Sequence, residues 1–144
     1  MLSRTAEYAL RAVVVLARRY GEAPVSSDEI ATILGAPHNY LSKTLNALSR
    51  RGIVTSTRGP GGGFVLAVAP DALTIGDIAD VFAEAIPNGA RCLVNDARCN
   101  PQQPCYAHRR WTEIQDAARA PLRCARISEL CQPRPHPPTQ ENIA

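Results

Sequence analysis

Three cysteines, Cys92, Cys99 and Cys105, stand in one short segment, with His108 three residues beyond the last. Thiolates are soft ligands that select zinc or iron–sulfur centres over magnesium. Structural zinc sites favour cysteine pairs two to four residues apart. Here six residues separate Cys92 from Cys99 and five separate Cys99 from Cys105. Wider intervals within one loop suit a larger inorganic core, an iron–sulfur cluster held by thiolates. Three thiolates leave at least one ligand to be supplied. His108 shares a helix face with Cys105. Glu7, far away in the chain, reaches such a centre only through folding or from a second copy. The remaining cysteines, Cys124 and Cys131, are seven apart and fit one helix face. Two readings stand for them: buried thiols, or redox-sensing thiols.

A second constellation has nucleic-acid chemistry. Asn39, Ser42, Lys43 and Asn46 fall on the face of a predicted helix opposite Leu41, Leu45 and Leu48. Short polar side chains in that array suit base edges and phosphates in a major groove. His38 and Tyr40 sit near the helix start, where backbone N–H groups favour a phosphate. Arg50 and Arg51 follow as phosphate contacts. Arg58 precedes a glycine-rich tip, and Gly59, Gly61 and Gly62 let that tip lie close to a sugar–phosphate backbone. Arg58 itself suits a narrow minor groove.

The elements that position these residues read as follows. A first helix runs from about Ser3 to Tyr20, with Ala6, Leu10, Val13, Val14 and Ala17 inward. Ser26 and Glu29 have capping-box spacing and open a second helix, whose buried side is Ile30, Ala31, Ile33 and Leu34. Pro37 suits the first turn of a third, running to about Arg51. Ile53–Thr57 and Phe64–Leu66 read as strands around a loop at Gly59–Gly63, a wing. Thr74 to Glu84 reads as a further helix, with Ile75, Ile78, Ala79 and Phe82 inward. A long helix starts at about Cys105. Its stripe of Ala107, Trp111, Ile114, Ala118 and Leu122 is too apolar for a monomer's surface and predicts a dimer seam. Pro121 interrupts or kinks it. The fold class is therefore mainly α with a small β-hairpin: a winged helix-turn-helix plus a long C-terminal dimerisation helix. The division expected is 1–86 for the DNA-binding domain, 87–105 for the cysteine loop, 106–131 for the dimerisation helix region and 132–144 for a disordered tail.

Charge agrees with this order. Residues 1–67 carry eight Lys+Arg against four Asp+Glu, while residues 68–144 carry eight against nine, so the half bearing the polar helix is the basic one. The N-terminal apolar stretch is broken by Arg4, Glu7 and Arg11, which marks an amphipathic helix, not a signal peptide. A cytoplasmic protein without membrane association is expected. Five cysteines in a reducing compartment favour metal or redox roles over disulfides. No paired carboxylates, base-activated nucleophile or phosphate-cradling motif is present, so an enzyme and a small-molecule substrate are not expected. The glycine run lacks the Lys and Ser/Thr that a P-loop requires.

The "EYALRA" of residues 7–12, the "RGPGGGF" of residues 58–64 and the "CYAHRRW" of residues 105–111 strongly resemble the Rrf2 family of bacterial regulators, over about residues 1–131. The resemblance implies a homodimeric repressor binding a double-stranded DNA operator, with a cluster near the dimer interface. It implies that Asn39, Ser42 and Lys43 lie on the recognition helix, Arg58 in the minor groove, and Cys92, Cys99 and Cys105 on the cluster. In IscR-like members a histidine at the place of His108 completes a 2Fe–2S cluster. In NsrR-like members a carboxylate at the place of Glu7, from the other subunit, completes a 4Fe–4S cluster. This sequence carries both residues. It departs from the family in the first cysteine interval, six residues where five is the pattern, and in Ser42, which stands where IscR-like members read bases with an acidic residue.

The function expected is a transcriptional regulator whose operator affinity follows a cluster that senses nitric oxide, redox state or cluster supply. A winged-helix regulator with structural zinc or metal-free redox thiols is the alternative. A small iron–sulfur electron carrier is remote, since it gives the wing and the polar helix no purpose.

Overall fold

The computed structural model describes residues 2–83, 100 and 102–132. The chain order is α1 (Arg4–Arg18), α2 (Ser27–Leu34), α3 (His38–Arg50), β1 (Val54–Thr57), β2 (Gly63–Leu66), α4 (Ile75–Val81), α5 (Tyr106–Cys124) and α6 (Ile127–Cys131). Among the described residues this is the expected helical fold with an antiparallel hairpin. Most of the cysteine loop expected at 87–105 falls outside the described residues, as does nearly all of the tail expected at 132–144.

Helix α1 is the centre of the domain. Its start is fixed by Ser3, whose Oγ accepts a hydrogen bond from the Ala6 N–H at 3.2 Å. It packs against α2, α3, α4, α6 and β2, and a helix with that many neighbours buries a broad face. The buried residues are Ala6, Ala9, Ala12, Val13, Leu16 and Ala17. Leu10 and Val14, expected inward, are only half-buried. The alanines lack bulk beyond Cβ and admit the neighbouring helices closely, which moves the contact face around the helix.

Helix α2 begins at Ser26, whose Oγ accepts from the Glu29 N–H at 3.1 Å. The return arm of the expected capping box does not form. The Glu29 carboxylate turns to Arg19 Nη1 at 2.6 Å and ties α2 to the end of α1. Ile30 and Ala31 are buried, but Ile33 is 50% exposed. It lies two positions after Ala31, about 200° around the helix, and so faces away from the core. Pro37 is the N-cap of α3 and not part of its first turn. In α3 the leucine stripe is as read: Leu41, Leu45 and Leu48 are fully buried. Truncating any one of them costs about 2–5 kcal/mol.

Strands β1 and β2 pair from Val54 with Leu66 to Thr57 with Gly63. Gly63, expected in the loop, therefore opens β2, and Ile53, expected in β1, is buried just ahead of it. Phe64 also exchanges backbone hydrogen bonds with Val25, at 2.8 and 3.0 Å. The wing is thus stitched to the segment that leads into α2.

Helix α4 carries a full capping box: Thr74 Oγ1 accepts from the Asp77 N–H at 3.1 Å, and Asp77 Oδ2 accepts from the Thr74 N–H at 2.9 Å. It ends at Val81, with Phe82 as the C-cap, short of the expected Glu84. Helix α5 runs through Pro121 to Cys124 without interruption. Proline at its last turn removes one backbone donor where few turns remain to be lost.

Beyond α5 the chain returns to the core. The Ile75 N–H donates to the Ala125 carbonyl and the Ile127 N–H to the Leu73 carbonyl, both at 2.9 Å. The Arg126 guanidinium bonds the Asp71 carbonyl. Ile127 is fully buried, and α6 packs on α1. The C-terminal end of α5 is therefore anchored to α4 and α1. No helix among the described residues is long and apolar enough to cross a membrane.

Candidate nucleic-acid interface and thiol site

Helix α3 gathers its polar residues as the periodicity requires. Asn39, Lys43, Asn46 and Arg50 are exposed and Ser42 is half-buried, on the side away from Leu41, Leu45 and Leu48. Arg51 is the exposed C-cap. The start of α3 is held by its own fold. His38 Nε2 lies 2.9 Å from Asp28 Oδ1 and 3.1 Å from Ser27 Oγ, which joins the first residue of α3 to the first turn of α2. Tyr40 points elsewhere. Its hydroxyl is 2.5 Å from Thr5 Oγ1 on α1, and its ring meets the ring of Tyr8 edge-on, with centroids 5.4 Å apart.

At the wing, Arg58 is exposed and leads into Gly59-Pro60-Gly61-Gly62. The Gly62 N–H donates to the Gly59 carbonyl at 2.9 Å. Pro60 stands at the second place of this turn and Gly61, with φ of 74°, at the third. That is the pattern of a type II turn, which requires a positive φ at the third residue. The turn presents a narrow tip with almost no side chain, in keeping with close approach to a backbone. A helix with an exposed polar face beside a bare, cation-led wing has the means to engage a duplex.

The thiol site is described only in part. Cys105 is the N-cap of α5 and is exposed; His108 sits in the first turn of the same helix, half-buried. Glu7 is exposed on α1, with Arg4 and Arg11, on the side turned away from the core. Cys92 and Cys99 lie outside the described residues. Among the described residues, no three His, Cys, Asp or Glu side chains come together in a metal-holding group.

Cys124 and Cys131 do not share a helix. Cys124 is exposed at the last residue of α5, and Cys131 is half-buried at the end of α6. The chain breaks out of helical conformation at Ala125 between them, which overturns the one-face reading. The Cys131 thiol donates to the Ile127 carbonyl at 3.4 Å. Burial pushes that thiol's pKa up, while the nearby Arg18 charge pulls the other way.

Thr5, Tyr8, Ser27 and Asp28 are site-forming residues that the sequence did not disclose. Each meets its partner across many residues, and such a contact leaves no periodic trace.

Residues 2–133 match the Rrf2 family, described as an iron-dependent transcriptional regulator. A candidate HTH-type transcriptional regulator of Aquifex aeolicus is 38% identical over 117 residues, covering 80% of each chain. The regulator CymR of Bacillus subtilis is 30% identical over 129 residues, covering 90% of this chain and 88% of its own. The solved structure of that CymR, the global cysteine regulator of B. subtilis, aligns with a TM-score of 0.69 over 91% of this chain and 95% of its own. The T. potens IscR structure aligns with the same TM-score at 25% identity, over 90% of this chain and 85% of its own. Similarity of this extent, on a chain folded as a winged helix with a polar third helix, is decisive: the protein belongs to the Rrf2 family of transcriptional regulators.

Proposed function

We propose that this regulator is a homodimeric repressor whose grip on a double-stranded DNA operator is set by an iron–sulfur cluster on Cys92, Cys99 and Cys105. The observation that carries the reading is the pairing of Cys105 at the cap of α5 with His108 one turn on. A thiolate and an imidazole on one helical turn are donors of the right softness for iron. The first backbone N–H groups of a helix favour the anionic charge that such a ligand set carries. His108 would complete a 2Fe–2S centre; in the alternative, Glu7 donated by the second subunit would complete a 4Fe–4S centre. Glu7 faces away from its own core, an orientation that favours donation to a partner.

When bound, the cluster supplies an iron centre reactive toward nitric oxide, oxygen or loss of iron. The chain's own residues convert that local event into a DNA response. Cys105 and His108 fix the start of α5. Ala125 and Ile127 tie its end by backbone hydrogen bonds to Ile75 and Leu73. Helix α4 in turn packs on α1 and α3. Movement of α5 therefore alters how the two recognition helices of a dimer are spaced. Half-sites one turn of DNA apart, about 34 Å, demand that this spacing be right. A switch from 1% to 99% occupancy needs a preference of about 5.5 kcal/mol between states. Refolding a metal-held loop in both subunits is an event of that scale.

In this reading Asn39, Ser42, Lys43 and Asn46 engage the major groove, Arg50 and Arg51 the phosphates, and Arg58 with Gly59, Gly61 and Gly62 the minor groove. The test is substitution of the thiols. Cys92→Ala, Cys99→Ala and Cys105→Ala should each lose the iron and change the affinity for a duplex selected by the wild-type protein from a random-sequence library. Wild-type affinity and wild-type response in all three variants would refute cluster control.

A second reading draws on the likeness to CymR, whose solved structure is described as that of a cysteine regulator. There the protein carries no iron and its thiols answer to cysteine or redox state. Reconstitution with iron and sulfide separates the two, since only the cluster reading expects it to change DNA affinity.

A further inference from the structure

The start of the recognition helix is joined to the start of α1 by a contact that spans 35 residues of chain. The Tyr40 hydroxyl and Thr5 Oγ1 are 2.5 Å apart and part-buried. The Tyr8 ring, one turn along α1 from Thr5, closes on the Tyr40 ring at an interplanar angle of 69°, the edge-to-face geometry that aromatic quadrupoles favour. The Tyr40 backbone is engaged as well, since its carbonyl accepts from Thr44 Oγ1 at 3.0 Å and its N–H donates to the Pro37 carbonyl at 3.1 Å. Thr44 is itself 2% exposed. Tyr40 is thus held from three sides, by the cap of its own helix, by the next turn of that helix and by α1. Its sequence neighbour Asn39 and the more distant Lys43 stand exposed.

We propose that Tyr40 is a positioning residue for DNA recognition and not a phosphate contact. It acts through Thr5 and Tyr8 to set the rotation and reach of α3, and hence the aim of Asn39, Ser42 and Lys43. Helix α1 buries one face in the core, through Ala6, Ala9, Ala12, Val13, Leu16 and Ala17, and serves as a fixed reference for that aim.

The experiment uses full-length protein and a duplex that the wild-type chain selects from a random-sequence library. Failure to select any duplex would count against DNA recognition as such, and is separable from failure of the Tyr40 role. Tyr40→Phe keeps the ring and removes the hydroxyl. Thr5→Val keeps the shape and removes the other hydroxyl. Each should weaken specific binding about three- to tenfold, the range of one hydrogen bond. The double variant should bind no more weakly than either single one, because both remove the same bond. Thr5→Ser, which keeps the hydroxyl, should restore wild-type binding. The slope of affinity against salt should not change, because no phosphate contact is lost. Wild-type affinity in Tyr40→Phe would overturn the proposal. A salt slope lower by about one with additive single effects would also overturn it, by making Tyr40 a direct phosphate ligand.

Discussion

Cys105 occupies the N-cap position of helix α5 and His108 stands one turn further along the same helix. The other end of that helix is tied to α4, where the Ile75 N–H donates to the Ala125 carbonyl at 2.9 Å. In the function proposed above, that connection carries a change at the cysteine segment to the recognition helix, and the contacts in between can be tested.

The first concerns the seat of α5 on α4. A Cβ at Gly76 would lie 2.8 Å from Arg123 Cγ and 3.0 Å from Arg123 Cα. The first clash is with a flexible side chain, but the second is with the backbone of α5 and cannot be relieved by rotation. Gly76→Ala should lower stability by about 1–3 kcal/mol, the cost of overpacking a tight contact. Urea denaturation monitored by circular dichroism measures it. An unchanged midpoint would mean that α5 does not sit on α4 in this way.

The second separates the side chains proposed to contact DNA by role. Lys43→Ala should weaken binding to all duplexes alike and lower the salt slope by about one. Arg58→Ala should weaken the selected duplex more than a random one, if the side chain occupies a narrow minor groove. Fluorescence anisotropy at several salt concentrations reads both. Equal losses on selected and random duplexes for Arg58→Ala would reduce that residue to a phosphate contact.

What could be read in advance follows from the range of each interaction. The leucine stripe of α3 and its opposing polar face were legible because amphipathic periodicity is local. So was the spacing of Cys105 and His108. The inward face of α1 was legible only in part: Ala6, Val13 and Ala17 are buried as read, while Leu10 and Val14 are half-buried and Ala9, Ala12 and Leu16 were missed. Alanine is neutral in pattern, and only the neighbours packed around Ala9 and Ala12 decide which way it faces. The pairing of Val25 with Phe64 and of Thr5 with Tyr40 could not be read at all, since each joins segments far apart in the chain. Helix α6, five residues long, was too short to show a period. It was absorbed into the expected dimerisation region, although its Ile127 lies in the core of the domain.

The apolar stripe of α5 supplies a third consequence. Trp111 is 47% and Ile114 58% exposed in the single chain, and α5 has no buried residue at all. A second copy covering this face would bury both. On the proposed homodimer, Ile114→Glu should therefore convert a dimer to a monomer in sedimentation velocity and reduce affinity for a two-half-site operator. A dimer that survives the substitution would place the seam elsewhere.

Thiol reactivity gives a fourth. Burial raises the pKa of Cys131, so less of it is thiolate near neutral pH than of an ordinary cysteine, and its reaction rate should keep rising to higher pH. Cys124 is exposed. Alkylation followed by mass spectrometry should label Cys124 before Cys131 at pH 7.5. The reverse order would contradict the packing of α6 on α1.

Cluster control stands or falls most directly on the metal content of the protein purified without oxygen. Absorption, iron, acid-labile sulfide and zinc should be measured on one sample. A cluster-bearing regulator gives visible charge-transfer bands with iron and sulfide in matching amounts. Its iron content per chain then separates a 2Fe–2S centre completed by His108 from a 4Fe–4S centre completed by Glu7. A colourless protein that holds zinc, or that takes up no metal after reconstitution with iron and sulfide, would contradict cluster control and leave a winged-helix regulator governed by other means.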